Sequence, residues 1–342
     1  MYKNKKIYLC SFSNLDLYPS ALRLKKESES FNIFDKILTY NEYNLPHDEK
    51  FEKLLREKLV PSRGFGYWCW KPFIILKTLE SMSDGDILLY VDVGCHLNKE
   101  GINRFYEYLD IVIENGALCF ELGHIEKLWT KSDLFNYFNV LNNKNITDTF
   151  QMMATSFLLL KNDVNLNIVN RWLQVYYDDF SLADDTPSKI NNDATFIEHR
   201  HDQSIFSILS KIHNLYTIKS EIDFYGNQYY PIWALRDKKD IYSFIASEVS
   251  DSFIDKLVWY IPIRKIRNNV RYELKRYAIY SVKKYFGVLE KDNINIFNIK
   301  IIDNYLKNII NKKIEKHIKS NKTVKEIIDY INKYRKDIKI LQ

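Results

Sequence analysis

The sequence predicts an α/β fold: one nucleotide-binding domain with a mostly parallel central sheet flanked by helices, followed by a basic helical C-terminal region. Three observations predict it. Short apolar segments alternate with longer amphipathic segments through the first 250 residues, which is typical of strand–helix–strand units. Apolar residues make up 46% of the 342 residues, enough to bury such a core. One apolar run ends on Asp92, and open α/β sheets bind ligands beyond the carboxyl ends of their strands.

Each strand is predicted from a short run of apolar and β-branched residues between turn residues. The strands are expected at Lys6–Ser11, Asp35–Tyr40, Asp86–Val93, Gly116–Glu121 and Ala154–Leu160. The helices are predicted from apolar residues spaced three and four apart, and Pro72 favours a helix start because proline suits the first turn. They are expected at Tyr18–Ser30, Phe51–Leu59, Pro72–Ser81, Asn103–Asn115, Lys131–Asn139, Asn162–Asp178 and Gln203–Lys211.

A change of composition near residue 250 predicts a catalytic domain at 1–250 and a separate region at 251–342. From Lys256 to Gln342 the chain has 22 basic and 8 acidic residues, a net charge of +14, whereas the remainder has a net charge of −8. This region is expected to bind an anionic membrane surface, to form a helical cap on the α/β body, or to do both. No nucleic-acid partner is expected, because the body is acidic. Apolar residues at helical spacing mark the start of this region: Ile266, Val270, Leu274, Tyr277 and Val282.

The cysteines and the apolar runs bound the location of the protein. None of the four cysteines forms a Cys-x-x-Cys pair, and all lie in or beside predicted buried segments, so a reducing cytoplasm is expected. The N-terminal run is predicted to be a first strand and not a signal peptide. No apolar run reaches the 18 residues of a membrane-spanning helix. Any membrane association is therefore expected to be peripheral, on the inner face of the cytoplasmic membrane.

Asp92 is the first candidate for a functional carboxylate. It lies at the end of the predicted strand Asp86–Val93, where a carboxylate can hold a divalent cation against a diphosphate. A second acid two residues later would complete such a site, but Gly94 occupies that position. The same carboxylate could instead cap a turn.

The loop at 63–72 is the second candidate, because it combines glycine, aromatic rings and positive charge. Its glycines permit close approach of the backbone, its rings offer faces for a base or a sugar, and its basic residues offer charge for phosphates. Its tryptophans could equally form an aromatic wedge in the core. The residues concerned are Arg63, Gly64, Gly66, Tyr67, Trp68, Trp70 and Lys71.

Two further segments carry weaker signals. His199–Ser204 contains two histidines and an aspartate, which suit a metal ligand, a base or contacts with sugar hydroxyls. Asp202 also precedes an apolar run, so it is expected to cap a helix whose N-terminus faces the ligand. Glu121–Asp133 offers Glu121 as an acid or base and Trp129 as a sugar platform, although a surface loop is the default interpretation.

Four segments between about residues 5 and 240 occur in an order that resembles a known family. They are Tyr67-Trp-Cys-Trp-Lys-Pro, Asp86-Ile-Leu-Leu-Tyr-Val-Asp92, Ala154–Leu159 and His201–Phe206. The order and spacing resemble bacterial glycosyltransferases of the GT-A fold that build capsule, O-antigen or lipooligosaccharide. The resemblance implies a GT-A-like domain that transfers a hexose-type sugar from a nucleoside diphosphate sugar, with UDP as the first choice. The acceptor would be a surface polysaccharide or a lipid-linked glycan.

The resemblance also implies roles for individual residues. Asp92 would hold manganese or magnesium, or, because Gly94 replaces the second acid, basic residues would take the place of the cation. Catalytic roles would fall to Asp202, Asp92 and Glu121. Donor-binding roles would fall to Ser11, Arg63, Tyr67, Trp68, Trp70, Lys71, Val91, Asp92, Gly94, Thr155 and Ser156. Acceptor-binding roles would fall to Trp129, Lys131, His201 and Gln203.

Two other classes of protein remain open. Val91–Cys95 resembles the opening of the glycine-rich motif of S-adenosylmethionine-dependent methyltransferases, but that motif needs further glycines and belongs to the first strand of its domain. A non-catalytic sugar-binding scaffold derived from a transferase is the other alternative, and the missing acid at Gly94 favours it.

Overall fold

The structure, a computed structural model, describes residues 1–14, 17–42, 44–58, 63–222, 227–238, 240–285 and 304–320. The chain divides into two compact units. The first comprises Met1–Asn14 and Ala21–Asp237, and the second comprises Leu15–Ser20 and Lys238–Gln342. All the residues assigned a chemical role in the sequence therefore belong to the first unit.

The elements up to residue 237 alternate between strands and helices, as expected for the α/β class. The strands are β1 (Ile7–Phe12), β2 (Lys36–Tyr40), β3 (Ile87–Val91), β4 (His96–Leu97), β5 (Ala117–Ile125), β6 (Phe150–Met152), β7 (Ser156–Leu160), β8 (Thr217–Lys219) and β9 (Ile232–Trp233). The helices are α1 (Tyr18–Phe31), α2 (Glu49–Lys58), the short turn α3 (Gly64–Tyr67), α4 (Trp70–Glu80), α5 (Ile102–Asn115), α6 (Glu126–Trp129), α7 (Ser132–Tyr137), α8 (Lys144–Thr147), α9 (Asp163–Asp178) and α10 (Asp202–Ile212).

The central sheet has the strand order β2-β1-β3-β7-β5-β6, and β8 pairs with β5. β1 is parallel to β2 and β3, and β8 is parallel to β5. β7 runs antiparallel to β3 and β5, and β6 runs antiparallel to β5. The predicted α/β class is confirmed, since helices connect the parallel strands β1, β2 and β3. The carboxyl ends of these three strands consequently meet at one edge of the sheet.

Helices cover both faces of this sheet. One core layer joins Tyr90 and Phe157 to side chains of α2, α4, α9 and α10, and the other joins Leu89 and Val91 to side chains of α1 and α5. Successive residues of a strand point to opposite faces, so all five residues of β3 are buried. Asp92 follows Val91 and is therefore directed to the same side as Tyr90.

Helix α4 is almost entirely buried, which explains its continuous run of apolar residues. It begins at Trp70, two residues before the predicted start, and Pro72 lies in its first turn, where a missing N–H leaves no helical hydrogen bond unmade. This early start carries Lys71 into the helix, and therefore into the layer between α4 and the sheet.

In the second unit, the described helices are α11 (Ile241–Trp259), α12 (Arg264–Tyr285) and α13 (Asn304–Ser320). Asp240 caps α11 by accepting hydrogen bonds from the backbone N–H groups of Tyr242 and Ser243. The parts of the predicted C-terminal region at 286–303 and 321–342 lie outside the described residues.

None of the helices in the described ranges is both long enough and apolar enough to cross a bilayer.

Candidate active site

Two carboxylates and a lysine meet at the carboxyl end of β3. Lys71 Nζ lies 2.6 Å from Asp202 Oδ2 and 3.2 Å from Asp92 Oδ1. The same ammonium group donates a hydrogen bond to the backbone carbonyl of Ala154 over 3.1 Å. These three acceptors match the three protons of an ammonium group. The open cluster, as we name Lys71, Asp92 and Asp202, has a formal charge of −1.

Backbone hydrogen bonds hold the end of β3 in place. The Asp92 N–H donates to Thr155 O over 2.8 Å, and Asp92 O accepts from the Cys95 N–H over 2.9 Å. The Ser156 hydroxyl donates to Tyr90 O over 3.0 Å. Thr155 and Ser156, both predicted to bind the donor, therefore fix the position of Asp92 through the backbone.

Tyr90 is a member of this site that sequence reasoning missed. Its hydroxyl donates a hydrogen bond to Asp92 Oδ1 over 2.6 Å. Burial, reinforced by the charge of Asp92, raises the pKa of Tyr90 well above its ordinary value, so the phenol stays protonated and remains a donor. Burial alone would lower the pKa of Lys71, but Asp202 and Asp92 outweigh it and hold that pKa above its ordinary value. Lys71 is therefore a permanent cation between two acids.

The three side chains of the open cluster differ in exposure. Asp92 is 25% exposed, whereas Asp202 is 8% and Lys71 is 3% exposed. Tyr90 and Lys71 both engage Oδ1 of Asp92, and Oδ2 makes no hydrogen bond with any residue in the described part of the chain. Asp92 is consequently the residue of the cluster most accessible to a ligand, and Oδ2 is its oxygen without a protein hydrogen bond in the described ranges.

A divalent cation fits this arrangement only if the substrate completes its shell. In the described ranges, no three side chains of His, Cys, Asp or Glu come together as a metal site. Magnesium, however, is commonly held by one or two carboxylates together with substrate phosphates and water. Asp92 Oδ2 can provide one such carboxylate oxygen, and the oxygens of a bound diphosphate would provide others.

The position of the missing second acid, Gly94, is buried in a turn that other residues hold. The Arg23 guanidinium donates to the carbonyls of Val93 and Cys95 over 2.9 and 2.8 Å. Gly94 O accepts from the Asp237 N–H over 2.9 Å. The turn after β3 is therefore fixed by a cation and by backbone hydrogen bonds, and Gly94 contributes its backbone and no ligand atom.

The loop before α4 contains a left-handed turn. Five successive residues from Gly64 to Trp68 have φ between 50° and 84°. For L-residues with a Cβ atom this conformation costs about 1–2 kcal/mol each, and Phe65, Tyr67 and Trp68 all adopt it. A Cβ atom on Gly64 would lie 2.3 Å from the Trp68 ring, so only glycine fits there. Such strained segments concentrate at functional sites, where the surrounding structure maintains them.

This turn places half-buried aromatic rings beside the N-terminus of α10. The Trp68 ring stacks on His201 with 5.4 Å between centroids, and the Tyr67 hydroxyl donates to Asp185 Oδ2 over 3.0 Å. Arg63 forms an ion pair with Asp185 at 3.4 Å. Asp185 was not predicted, because the segment around it carries no recognisable motif.

His201 occupies the cap position of α10 with φ of 51°, so the predicted cap lies one residue earlier than Asp202. Its Nδ1 lies 2.7 Å from the carbonyl oxygen of Ala183, which only accepts hydrogen bonds, so the proton is assigned to Nδ1. Burial lowers the pKa of His201, so the ring is neutral. Its Nε2 lone pair makes no hydrogen bond with a described residue.

Trp70 and Ser11, two predicted donor-binding residues, are buried. Trp70 stacks on Phe12 with 4.1 Å between centroids and donates from Nε1 to Gly64 O over 3.0 Å, so it packs in the core and supports the turn. Val91 is likewise a core residue. The Ser11 hydroxyl lies at the carboxyl end of β1 without a hydrogen-bond partner in the described part of the chain. A buried polar atom of this kind marks a position for water or ligand.

Four other predicted residues lie outside the open cluster. Glu121 belongs to β5, where it pairs with Met152 and Lys219 in the sheet. The guanidinium of Arg200 lies 4.1 Å from the centre of the Trp129 ring. No hydrogen bond or ion pair between described residues joins Glu121 or Trp129 to the open cluster.

Lys131 and Gln203 are both engaged by other protein groups. The buried ammonium of Lys131 donates to the carbonyls of Ser181 and Asp184 over 2.9 and 2.7 Å, which fixes the segment that carries Asp185. Gln203 donates to Gln151 Oε1 over 2.7 Å. Their described contacts are therefore with the protein itself.

A second buried acid, Glu126, is paired at the other end of α10. It is fully buried, and Lys211 Nζ lies 2.7 Å from its Oε2. Three neutral side chains also donate hydrogen bonds to the Glu126 carboxylate: Thr130, Gln151 and Ser207. We name this group of five residues the closed cluster.

Comparison with known proteins gives distant structural likeness only. No protein-family model and no curated protein matches the chain. Mouse xyloside xylosyltransferase 1 in its apo form is 11% identical over 63% of this chain and 84% of that chain, with a TM-score of 0.36. A glycosyltransferase involved in the glycosylation of the major capsid of PBCV-1 is 12% identical over 57% of this chain and 81% of that chain, with a TM-score of 0.30.

Proposed function

We propose that the first unit is a glycosyltransferase that uses a nucleoside diphosphate sugar, with UDP as the first choice. The observation that carries the proposal is the open cluster at the carboxyl end of β3, where Asp92 is the most exposed of its three residues. Ligands of open α/β sheets bind at this edge. The order of the four sequence segments that resemble GT-A glycosyltransferases points to the same edge, since Asp92 and Asp202 both belong to those segments.

The roles in this proposal follow from exposure and contacts. Asp92 faces the diphosphate of the donor, and Asp202 lies toward the reacting carbon or the acceptor. Lys71 acts as a positioning residue, because its ammonium nitrogen lies within 3.2 Å of Asp92 Oδ1, Asp202 Oδ2 and the backbone carbonyl oxygen of Ala154. Trp68 lies at the rim of the proposed site, in the turn from Gly64 to Trp68, where an aromatic face can stack on a base or sugar ring.

A divalent cation, manganese or magnesium, is part of the proposal as a ligand of Asp92. When bound, it would act as a Lewis acid that neutralises charge on the leaving diphosphate. Lys71 and Tyr90 fix Asp92 Oδ1, and this leaves Oδ2 as the oxygen that faces the cation. Donor binding measured with manganese and with a chelator tests this part without any turnover.

We further propose a surface polysaccharide or a lipid-linked glycan, of the capsule or lipopolysaccharide kind, as the acceptor. In this proposal the protein is cytoplasmic and works at the inner face of the membrane. The net charge of +14 between Lys256 and Gln342 supports it, because the inner leaflet carries anionic lipids.

The experiment compares wild type with Asp92→Asn and with Asp110→Asn as a matched control. Asp110 forms an ion pair with Lys3 at 2.6 Å and takes no part in the open cluster. UDP release from UDP-sugars is measured with and without manganese, together with the thermal midpoint. Asp92→Asn should lower turnover by about 100- to 1,000-fold, as expected for one preorganised electrostatic contact, with the fold intact. Asp110→Asn should retain wild-type turnover.

Two results would contradict the proposal. Full turnover in Asp92→Asn would remove this residue from the mechanism. A screen in which UDP-, GDP-, CMP- and TDP-sugars are neither hydrolysed nor able to raise the thermal midpoint would favour the non-catalytic scaffold. S-adenosylmethionine belongs in the same screen as the test of the methyltransferase alternative.

A further inference from the structure

The turn between α11 and α12 exposes large apolar side chains. Trp259 is 74% exposed, Tyr260 is 86% exposed and Ile263 is 57% exposed. Ile266, in the first turn of α12, is also exposed. Adjacent exposed apolar residues of this size are uncommon on a protein surface without a partner, and they mark interaction sites.

The same turn is surrounded by positive charge without compensating acids. The twelve residues from Lys256 to Arg267 include four basic and no acidic residues. Arg264 and Lys265 are exposed, and neither forms an ion pair with a residue in the described ranges. A partner for this surface must therefore offer both apolar and anionic groups.

The part of α12 that follows the turn differs from it in charge and in burial. Arg271 pairs with Asp255 at 2.8 Å, and Lys275 pairs with Asp251 at 2.9 Å, so these charges are neutralised within the unit. The apolar residues predicted at helical spacing divide in the same way. Leu274, Tyr277 and Val282 are buried, whereas Ile266 is exposed. Packing between helices accounts for the later part of α12 and leaves the turn as the available surface.

We infer that the turn at 259–267 docks on an anionic lipid surface. Tryptophan and tyrosine prefer the headgroup level of a bilayer, isoleucine prefers the acyl boundary below it, and arginine and lysine pair with lipid phosphates. Trp259, Tyr260 and Ile263 combine with Arg264 and Lys265 to offer all three kinds of contact in one turn. The lipid-linked nature of the acceptor rests on the proposed function, whereas the docking is tested without any substrate.

The experiment uses the full chain and two matched double variants. Arg264→Gln/Lys265→Gln removes two charges at the turn, and Arg271→Gln/Lys275→Gln removes two charges from the ion-paired part of the same helix. Co-sedimentation with vesicles of 70% phosphatidylcholine and 30% phosphatidylglycerol gives the partition coefficient. Since each basic residue near an anionic surface contributes about 1 kcal/mol, the turn variant should bind about 25-fold more weakly. The ion-paired control should change by less than about threefold.

A third variant, Trp259→Ala/Tyr260→Ala/Ile263→Ala, tests the apolar contribution at unchanged charge. It should lose at least about tenfold in partitioning and should retain the wild-type circular dichroism spectrum, because all three side chains are exposed. Vesicles of phosphatidylcholine alone should bind the wild type weakly.

Three results would overturn the inference. They are absence of wild-type binding to the anionic vesicles, equal loss in both charge variants, and a wild-type dimer in solution that the apolar variant abolishes, since a second copy would then cover the turn. UDP-sugar binding is measured in parallel for every variant. A wild-type protein that binds UDP-sugar but not the anionic vesicles would refute the docking alone, whereas a wild-type protein that binds the vesicles but no nucleotide sugar would refute the transferase proposal alone.

Discussion

The open cluster and the closed cluster each pair a buried acid with a lysine, and the two clusters lie at opposite ends of helix α10. Asp202 begins α10 and Lys211 lies near its end, roughly 14 Å away for nine helical residues. In the closed cluster, four side chains donate hydrogen bonds to the fully buried Glu126. In the open cluster, Asp92 keeps one oxygen without a described partner and is a quarter exposed.

This difference separates a structural role from a chemical one. When the protein donates hydrogen bonds to both oxygens of a buried carboxylate, that carboxylate stabilises one packing arrangement and has no free oxygen for a ligand. A carboxylate fixed by one oxygen and exposed at the other is preorganised for a ligand. The contrast therefore supports a functional interpretation of Asp92, and it identifies Glu126 as the structural counterpart.

Breaking the closed cluster should give the largest effect on stability. Glu126→Gln leaves the ammonium of Lys211 buried beside a neutral amide, and an uncompensated buried charge costs about 3–5 kcal/mol. Urea unfolding should show this loss, while donor affinity per folded molecule should stay at the wild-type value.

The double variant Glu126→Gln/Lys211→Met is the control for this prediction. Because it removes both charges, part of the lost stability should return. A donor-binding defect in folded Glu126→Gln would contradict the structural role and would erase the distinction between the two clusters.

Acid should weaken the part of the unit next to the open cluster. Burial lowers the pKa of His201, and it lowers that of His199 well below 6.5. The folded state then binds fewer protons than the unfolded chain below pH 6.5, so the free energy of unfolding should fall as the pH drops below that value, by at most about 1.4 kcal/mol per pH unit for each histidine.

His201→Asn should remove one of these two contributions, and asparagine tolerates the positive φ at this position. Urea titrations at several pH values compare the slope of stability against pH in the two proteins. An unchanged slope in the variant would mean that His201 binds protons equally in both states.

Removing the Tyr90 hydroxyl beside the open cluster should give the smallest effect of these changes. It tests most directly whether the orientation of Asp92 distinguishes the open cluster from the closed cluster. Tyr90→Phe deletes the hydrogen bond to Asp92 Oδ1, which should weaken donor binding about fivefold for a loss of about 1 kcal/mol. The matched control is Tyr108→Phe on α5, which deletes the 2.6 Å hydrogen bond that the Tyr108 hydroxyl donates to Glu221. Calorimetric titration with UDP-sugar should show normal affinity in the control; equal affinity in both variants would show that Tyr90 does not orient Asp92.

The longer strands and helices of the first unit could be predicted from the sequence, because their signals are local, whereas the two- and three-residue strands β4, β6, β8 and β9 were not predicted. The run from Ile87 to Val91 is continuously apolar, as expected of a strand covered on both faces, and the turn residues before it define its start. The start of helix α4 was predicted to within two residues, because its run of apolar residues and Pro72 are also local signals. The antiparallel direction of β7 was not predictable, because short apolar runs carry no information on strand direction.

The geometry of the open cluster depends on contacts between distant parts of the chain. Lys71 was predicted to face phosphates, and nothing local indicates that its ammonium lies between Asp92 and Asp202, more than a hundred residues apart in sequence. Tyr90 looks like any other strand residue until its hydroxyl is seen to reach Asp92. Packing of α4 against the sheet determines both contacts, and that packing is a property of the whole core.

The turn from Gly64 to Trp68 has a stereochemical consequence. Its backbone occupies the region of conformational space that residues of the opposite chirality prefer, while three of its five members are bulky L-residues. Ordinary point substitution at Gly64 can only add a methyl group or more on the side of the Trp68 ring. The aromatic rim of the site is thus constrained by the handedness of the polypeptide itself, and redesign of this rim has to begin with a new backbone path.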